Sequence, residues 1–529
     1  MKSIQPILIS LLIAVCGTIA AQNAAGLPDL TFNTTGKVVY DKDKFDLYQD
    51  VQIQPDGKIV AVGMSMSLTY QPLIEVTRYL ANGDFDPSFG SAGHFNYSGN
   101  TETGAYKCII KDDGKILIGG YSTNYVNWGM LLLQLDENGI LDPSFGNFGV
   151  VYLDLGPGED MISAMKVEED GKILVAGYSQ DYEYKNTPVI ARLGETGILD
   201  TSFGFNGMAT IPVTETDNEF SAICVQSDGK IVAAGHISNG SSWFSLLLAR
   251  FDPDGNLDPN YGTGGIVNLN LNNVDDEFFD MKLSENDEAI LAGFTVTQSD
   301  LYYHLLVMKF DNSGLVVSSF GNFGKVIVGE VPYTHGDAMM IQTDGRIIVA
   351  GCTGQLQPGN NDWALWRFNT NGSPDETFGT MGQTTTDFFG NADEALGLAL
   401  YEDKIIVAGK TRNATDYLDF AIAKYSNDNE YHLSIPGVNA VKSVSITPNL
   451  VKRNGIFNLE GEWQQSDVVS VELLCINGKS IALDPSLHMK GGKQSIQFRL
   501  PSSVCSGVYI FKLKGLVLPA KSLKLVVVD

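Results

Sequence analysis

Two short phrases alternate along this chain, and their spacing limits its fold more than any other feature. The first phrase ends in glycine: QPDGKIVAVG, KDDGKILIGG, EEDGKILVAG, QSDGKIVAAG, NDEAILAG, QTDGRIIVAG and EDKIIVAG close at Gly63, Gly120, Gly177, Gly235, Gly293, Gly351 and Gly409. Successive copies lie 57 or 58 residues apart. The second phrase, FDPSFGSAG, LDPSFGNFG and LDTSFGFNG, closes at Gly93, Gly149 and Gly207, with weaker copies at Gly265, Gly324 and Gly382. Each unit reads as strands. Residues 51–54 alternate, Pro55-Asp56-Gly57 supplies turn chemistry, and residues 59–62 form the short apolar run of a strand covered on both faces. Residues 73–80, a turn at Asn82-Gly83 and a strand after Gly93 follow. Four strands in ~58 residues leave no room for a helix and suit a propeller blade.

The ends of the repeat region are cut in a complementary way. The seventh unit stops at residues 424–427 without its second phrase, and an orphan copy, LPDLTFNTTGKVV, spans residues 27–39 ahead of the first unit. One blade is thus divided between two distant segments. The expected fold class is all-β: a seven-bladed β-propeller over residues 27–428, closed by an N-terminal strand so that no sheet edge is left open. An open solenoid has no use for complementary half-units. The alternating phrases resemble the delta-60 repeat family, a bacterial extracellular repeat of β-propellers. Asn286-Asp287-Glu288 and Glu402-Asp403-Lys404 depart from its Asp-Gly-Lys turn. The resemblance implies a fold and no activity.

Residues present in every unit are structural candidates first. The Phe of the second phrase (Phe32, Phe89, Phe145, Phe203, Phe320, Phe378, with Tyr261) reads as a wedge between blades. A basic residue ends the third strand (Arg78, Arg192, Arg250, Lys309, Arg367, Lys424, with Gln134 the exception), and Asp86, Asp200, Asp258 and Asp375 are its expected partners.

A carboxylate also precedes the first strand of each blade: Asp46, Glu102, Asp160, Asp217, Asp276, Asp337 and Asp393. With the split strand outermost, these acids are expected to ring a channel mouth, among loops that carry Trp128, Trp243, Trp363 and Tyr417. Carboxylates beside aromatics suit a sugar, a cation or a basic peptide. The alternative is solvated loop acids with aromatics packed at blade edges.

Composition narrows the function. Sixty-two acidic against 35 basic residues give a net charge of −27, which excludes a nucleic-acid binder dependent on a basic face. None of the six histidines falls in an HExxH or paired ligand spacing, and neither a GxSxG elbow nor a P-loop occurs. The sialidase-type Ser-x-Asp-x-Gly turn is missing as well. No catalytic residue is assigned. Carboxylate-rich turns at residues 252–258 and 41–46 leave calcium as the one ion to consider, without the spacing of an EF-hand. No other cofactor is expected.

The flanking segments speak of export. Lys2 and the apolar run 7–21 read as a signal peptide (residues 1–21), and no later segment is long enough to span a membrane. Val15 before Cys16 argues against a lipobox. The five other cysteines, Cys108, Cys224, Cys352, Cys475 and Cys505, form no disulfide framework, although Cys475 and Cys505 share one segment. A linker is expected at residues 429–442, then a small immunoglobulin-like β-sandwich at 443–529, with 10 basic and 6 acidic residues. Within it, Ile446-Thr447-Pro448-Asn449, Val471-Glu472-Leu473-Leu474, Asn477-Gly478-Lys479 and Gly507-Val508-Tyr509-Ile510-Phe511-Lys512 resemble the type A C-terminal sorting domain of the Bacteroidetes type IX secretion system. Leu450 stands where that family usually has a second proline. The resemblance implies recognition by the type IX machinery and a secreted or cell-surface destination. The expected function is a monomeric, non-enzymatic binding or adhesion scaffold for an extracellular glycan or protein. The alternative is a polysaccharide-acting enzyme with carboxylates at the channel mouth.

Overall fold

The computed structural model describes residues 25–427 apart from 67–70, 100–101, 124–127, 215, 239, 241–242, 272–273, 330, 356–360 and 416, together with most of 441–528. The expected signal peptide and residues 429–440 of the expected linker lie outside the described residues. The chain divides into two compact units, one spanning Ala24–Asn429 and the other containing Glu430–Asp529.

In the first unit every described element is a β-strand, and the strands form repeated four-stranded antiparallel sheets. The first strands are Phe45–Ile53, Thr103–Ile110, Asp160–Val167, Asn218–Val225, Asp275–Leu283, Tyr333–Ile341 and Asp393–Tyr401. Each touches the first strands of the sheets before and after it, and Phe45–Ile53 touches Asp393–Tyr401. The fourth strands of the first six sheets, such as Val150–Leu153 and Lys325–Val328, are short and outermost. The sheet opened by Asp393–Tyr401 has its fourth place taken by Lys37–Tyr40. This strand pairs antiparallel with Leu418–Ser426 in the register Val38–Ile422 and Tyr40–Phe420. Single parallel bridges, Phe45–Leu418 and Tyr303–Tyr333, join two pairs of neighbouring sheets.

The repeated glycine has a local cause. Each first strand bulges close to the residue paired with that glycine, for instance between Ile162 and Ala164 or between Phe278 and Asp280. The bulge turns a carbonyl onto the second strand. A Cβ at Gly177 or Gly293 would collide with the carbonyl oxygen of Met161 or Glu277, so only hydrogen fits.

Between sheets the contacts are equally regular. Val60, Val76 and Phe89 interlock with Ile118, Leu131 and Leu133 of the next sheet. The same arrangement joins Tyr48, Ile59 and Tyr79 of the first sheet to Ile406, Phe420 and Ile422 of the last. The wedge aromatics are all buried, as expected. The basic residue above each wedge acts as a rivet. Arg192 pairs with Asp200 at 2.9 Å, lies 4.5 Å over the Phe203 ring, and donates to the Pro253 carbonyl of the following sheet at 2.6 Å. Arg78, Arg250 and Arg367 repeat it with Asp86, Asp258 and Asp375. Gln134 substitutes by donating to Asp142 at 2.8 Å. Lys309 departs from the pattern and pairs with Glu288 at 2.6 Å. In the last sheet Lys424 lies 3.7 Å from Asp29, which belongs to the orphan phrase.

The strands outrun the apolar runs that announce them in the sequence. The first begins at Phe45, not residue 51, and the second continues to Met66. Ala25 already takes part, accepting a hydrogen bond from Gly379 N–H at 2.9 Å.

The second unit consists of a three-stranded and a five-stranded sheet. Its first strand, Val441–Thr447, starts two residues inside the expected linker, and Ser480–Met489 is an additional strand. Phe457, Leu459, Val471 and Leu473 are buried there. Pro448, Asn449 and Cys505 lie outside the described residues. Among the described residues no helix is long and apolar enough to cross a membrane.

Candidate functional site

The acids expected at the mouth divide into two groups. Asp46, Asp160, Asp276 and Asp393 occupy one register position at the start of a first strand, opposite Ser65, Ser179, Thr295 and Thr411. All four are buried. Asp46 accepts the Ser65 hydroxyl at 2.6 Å and the backbone N–H groups of Lys42 and Asp43 at 2.8 and 2.7 Å. Asp393 accepts Thr411 at 2.5 Å and Phe388 N–H at 2.9 Å. These carboxylates clamp the loop that enters the first strand, and Asp160 does so through Oδ2 alone, which accepts the N–H groups of Leu155 and Gly156, while its Oδ1 is buried without a hydrogen-bond partner. Thr103, Asn218 and Thr334 hold the position in the other sheets. Of the remaining acids, Glu102 is half-buried, Asp217 is exposed, and Asp337 pairs with His335 at 2.9 Å.

The aromatics are also dispersed. Trp363 is a core residue at 1% exposure whose Nε1 donates to the Lys410 carbonyl at 3.1 Å. Trp128 stacks on Tyr121 at 4.5 Å, Tyr417 lies beneath Lys44, and Trp243 alone is exposed, at 46%.

One residue further along each first strand the sevenfold pattern breaks. That position reads Leu47, Gly104, Met161, Glu219, Glu277, His335 and Glu394. Three sheets are apolar there, and the next four present ionisable groups in unbroken succession. Glu219 accepts the Ser163 hydroxyl of the preceding sheet. His236, opposite Glu219, aims Nδ1 at Glu277 Oε2 at 3.7 Å without completing a hydrogen bond. Glu394 pairs with Lys410 at 2.7 Å. Burial pushes the Glu219 carboxyl up to about 7, with Asp217 adding to the shift. Burial and the acids Asp275, Glu219 and Asp217 push Glu277 up to about 8. Burial likewise holds His236 down at about 4. Near neutrality Glu219 is partly protonated and Glu277 mostly so, and a protonated carboxyl both donates and accepts hydrogen bonds.

Beside them, Cys352 Sγ lies 3.1 Å from His335 Nε2, and His335 Nδ1 faces Asp337. The order thiol, imidazole, carboxylate is that of a nucleophilic triad. Cys352 is completely buried, however, and burial raises its pKa, which describes an inert thiol.

Two other places depart from the repeat. Glu75, fully buried, stands where the other sheets carry Leu131, Val189, Leu247, Leu306, Ala364 and Ala421. It binds Lys42 Nζ at 2.6 Å and His94 Nδ1 at 2.8 Å, and the cleft around it, of about 510 Å³, also admits Tyr40 and Asn96. Lys42 follows the strand Lys37–Tyr40, so this cluster ties the N-terminal segment to the first sheet. Secondly, carboxylate oxygens of Asp362, Asp387 and Asp393 gather within 4.8 Å of one another. This is where calcium would find ligands, and neither acidic turn singled out in the sequence contributes. Burial raises Asp393 to about 7, with Asp387 and Asp362 adding to the shift.

Sequence reasoning missed Glu219, Glu277, His335 and Glu394 although a signal was present. Sixteen residues before the closing glycine, fifteen in the shortened last unit, the column reads Leu, Gly, Met, Glu, Glu, His, Glu. Two of the acids chosen from the sequence, Asp276 and Asp393, are the adjacent residues, whose side chains point to the opposite face of the sheet, while Asp217 and Asp337 lie two residues from Glu219 and His335.

A family profile described as "Domain of unknown function (DUF5122) beta-propeller" matches residues 54–89, 111–145, 168–203, 226–261 and 342–378. The chain is a repeat β-propeller. Its four-stranded sheets are blades, and the matched segments run from the turn before the second strand to the wedge aromatic. No curated protein matches the chain. Among solved structures it is similar to a fungal alcohol oxidase of the AA5 family, with 11% identity over 93% of this chain and 98% of the other at a TM-score of 0.41. The polysaccharide lyase Uly1 is similar at 10% identity over 77% and 98%, TM-score 0.42. A family 43 arabinoxylan arabinofuranohydrolase from Bacillus subtilis follows at 11% over 91% and 95%, TM-score 0.25. Likenesses this distant carry no functional argument.

Proposed function

We propose that the chain is an exported, non-enzymatic binding scaffold, a seven-bladed ring closed by its N-terminal segment. In this reading the first strands line an axial channel and the ligand engages Glu219 and Glu277 at its mouth. Several contacts support closure. One hydrogen bond recurs from blade to blade, as in Gly90 to Asn138, Gly146 to Thr196 and Gly204 to Asp254, and the series runs on through Gly379 to Ala25 and Asn33 to Asn82. The Lys424–Asp29 and Lys42–Glu75 pairs both bridge the seam. The C-terminal unit is the proposed address read by the type IX secretion machinery, and its destination is the cell surface or the medium.

The observation that carries binding is the arc itself: four consecutive blades abandon the apolar residue at one inner position. An acid–base glycosidase needs one carboxyl ionised and its partner protonated. Burial drives Glu219 and Glu277 the same way, which suits hydrogen bonding to a polyhydroxylated ligand better than acid–base chemistry. The test is an array of extracellular glycans and peptides probed with the exported chain and with Glu277→Ala and Glu219→Ala. Glycan binding weakened in both variants is expected. Binding indifferent to both, or turnover of a bound glycan, would overturn the reading.

A further inference from the structure

A second set of inner residues breaks the repeat nearer the other end of the channel. Lys107 lies level with Asp50 and Asp280, one pair below the repeated glycine. Two pairs further along, Lys166 and Lys282 are level with each other. Their counterparts in the other blades are Gln52, Ile109, Cys224, Met340 and Ala399. In a chain with 62 acidic residues, that level contains none.

The two carboxylates nearby are already committed. Asp50 accepts the N–H groups of Val51 and, in the next blade, Cys108 at 2.9 Å each. Asp280 does the same with Met281 and Met339, at 2.8 Å each, and takes Lys282 Nζ at 2.6 Å. Among the described residues neither Lys107 nor Lys166 has an ion-pair partner. Lys107 and Lys282 both pull the Asp50 carboxyl down, and Lys282 and Lys166 both pull the Cys224 thiol down, although these groups come from five different blades. A third of the Lys282 side chain is open to water, at 33% exposure.

We propose that Lys107, Lys166 and Lys282 form an oxyanion site in the channel, which takes a carboxylate, phosphate or sulfate group borne by a small ligand. The lysines bind as point charges, and the enclosing walls strengthen the attraction that bulk water would weaken. Four residue pairs separate Lys166 and Lys282 from the level of the glutamate arc, ~13 Å at strand rise, and two pairs separate Lys107 from it, ~7 Å. The two sites therefore lie at different levels of the first strands. The proposal rests on the closed ring, because only a ring brings five blades around one space.

Titration calorimetry of the full chain with inorganic phosphate, sulfate and glucuronate, each against chloride at matched ionic strength, tests it. At least one oxyanion is expected to bind, with affinity falling about ten-fold in Lys166→Gln, an exposed position that leaves the fold intact, and further in Lys107→Gln/Lys166→Gln. The three probes separate a phosphate or sulfate preference from a sugar-acid one. No oxyanion binding, or equal affinity in wild type and both variants, overturns the site. If a Val38→Cys/Ile422→Cys disulfide forms while anion binding is absent, the site fails and the ring stands. If neither is seen, the ring fails first.

Discussion

The outer rivet and the inner arc belong to the same repeat unit and behave in opposite ways. At the rivet, a cation, an aromatic ring and an aspartate recur from blade to blade with nearly constant distances: Arg78, Arg192, Arg250 and Arg367 lie 4.5 to 4.7 Å from their rings. At the arc, equivalent backbone positions carry leucine in one blade and glutamate in another. The rivet joins each blade to its successor, so any change there is felt at a packed, desolvated junction. The arc lies outside that junction, where the backbone is held by the neighbouring bulge and the side chain varies from blade to blade. Repetition marks what joins one blade to the next, and its interruption marks positions released from that duty.

The comparison is most sharply broken at the rivet. Arg250→Ala strips Asp258 of its partner and the Asn312 carbonyl of its donor in a buried site, and is expected to lower unfolding free energy by roughly 3–5 kcal/mol in denaturant titration. A loss below ~1 kcal/mol would demote the rivet to decoration.

The arc responds to pH. The folded-state pKa of Glu277, about 8, lies above its unfolded value. Its contribution is therefore fully present below pH ~4.5 and is lost as pH rises through 8. Wild type is expected to lose on the order of 2–4 kcal/mol between pH 5 and pH 9 from this group, and Glu277→Gln to flatten that slope. Identical pH profiles for the two proteins would show that Glu277 is not desolvated.

The smallest effect belongs to the loops before the outer strands. Phe148 and Phe323 adopt positive φ (54° each) and are exposed, whereas the same place in the fourth blade is Gly264, with nothing near. Phe148→Asn relieves that strain and is expected to gain up to ~1 kcal/mol. A loss would mean that the ring contributes contacts of its own.

Much of this was legible from the two phrases. Their 57–58-residue step implies strand-only units, the orphan copy at residues 27–39 anticipates the pairing of Lys37–Tyr40, and the wedge and rivet follow from recurrence in most units. The inner site was harder to read for a physical reason. The first strand carries a bulge and begins six residues before its apolar alternation becomes visible, so neither end of it is marked by hydrophobicity. Asp276 and Glu277 are adjacent in sequence, yet one is a buried clamp and the other lies 3.7 Å from His236 of the preceding blade. Only the register with Thr295 and Phe294 separates them. Lys166 and Lys282 were invisible for the same reason, being ordinary lysines until the strands align them.

The account depends on the N-terminal segment completing the last blade, and a cross-link tests that most directly. Val38 and Ile422 are opposed in an antiparallel pair, where Cα atoms lie about 4.5–5.5 Å apart, within disulfide reach. Val38→Cys/Ile422→Cys is expected to form that bond under mild oxidation, identified by peptide mapping, and to raise the melting temperature. Free thiols at both positions in the folded protein would contradict the account.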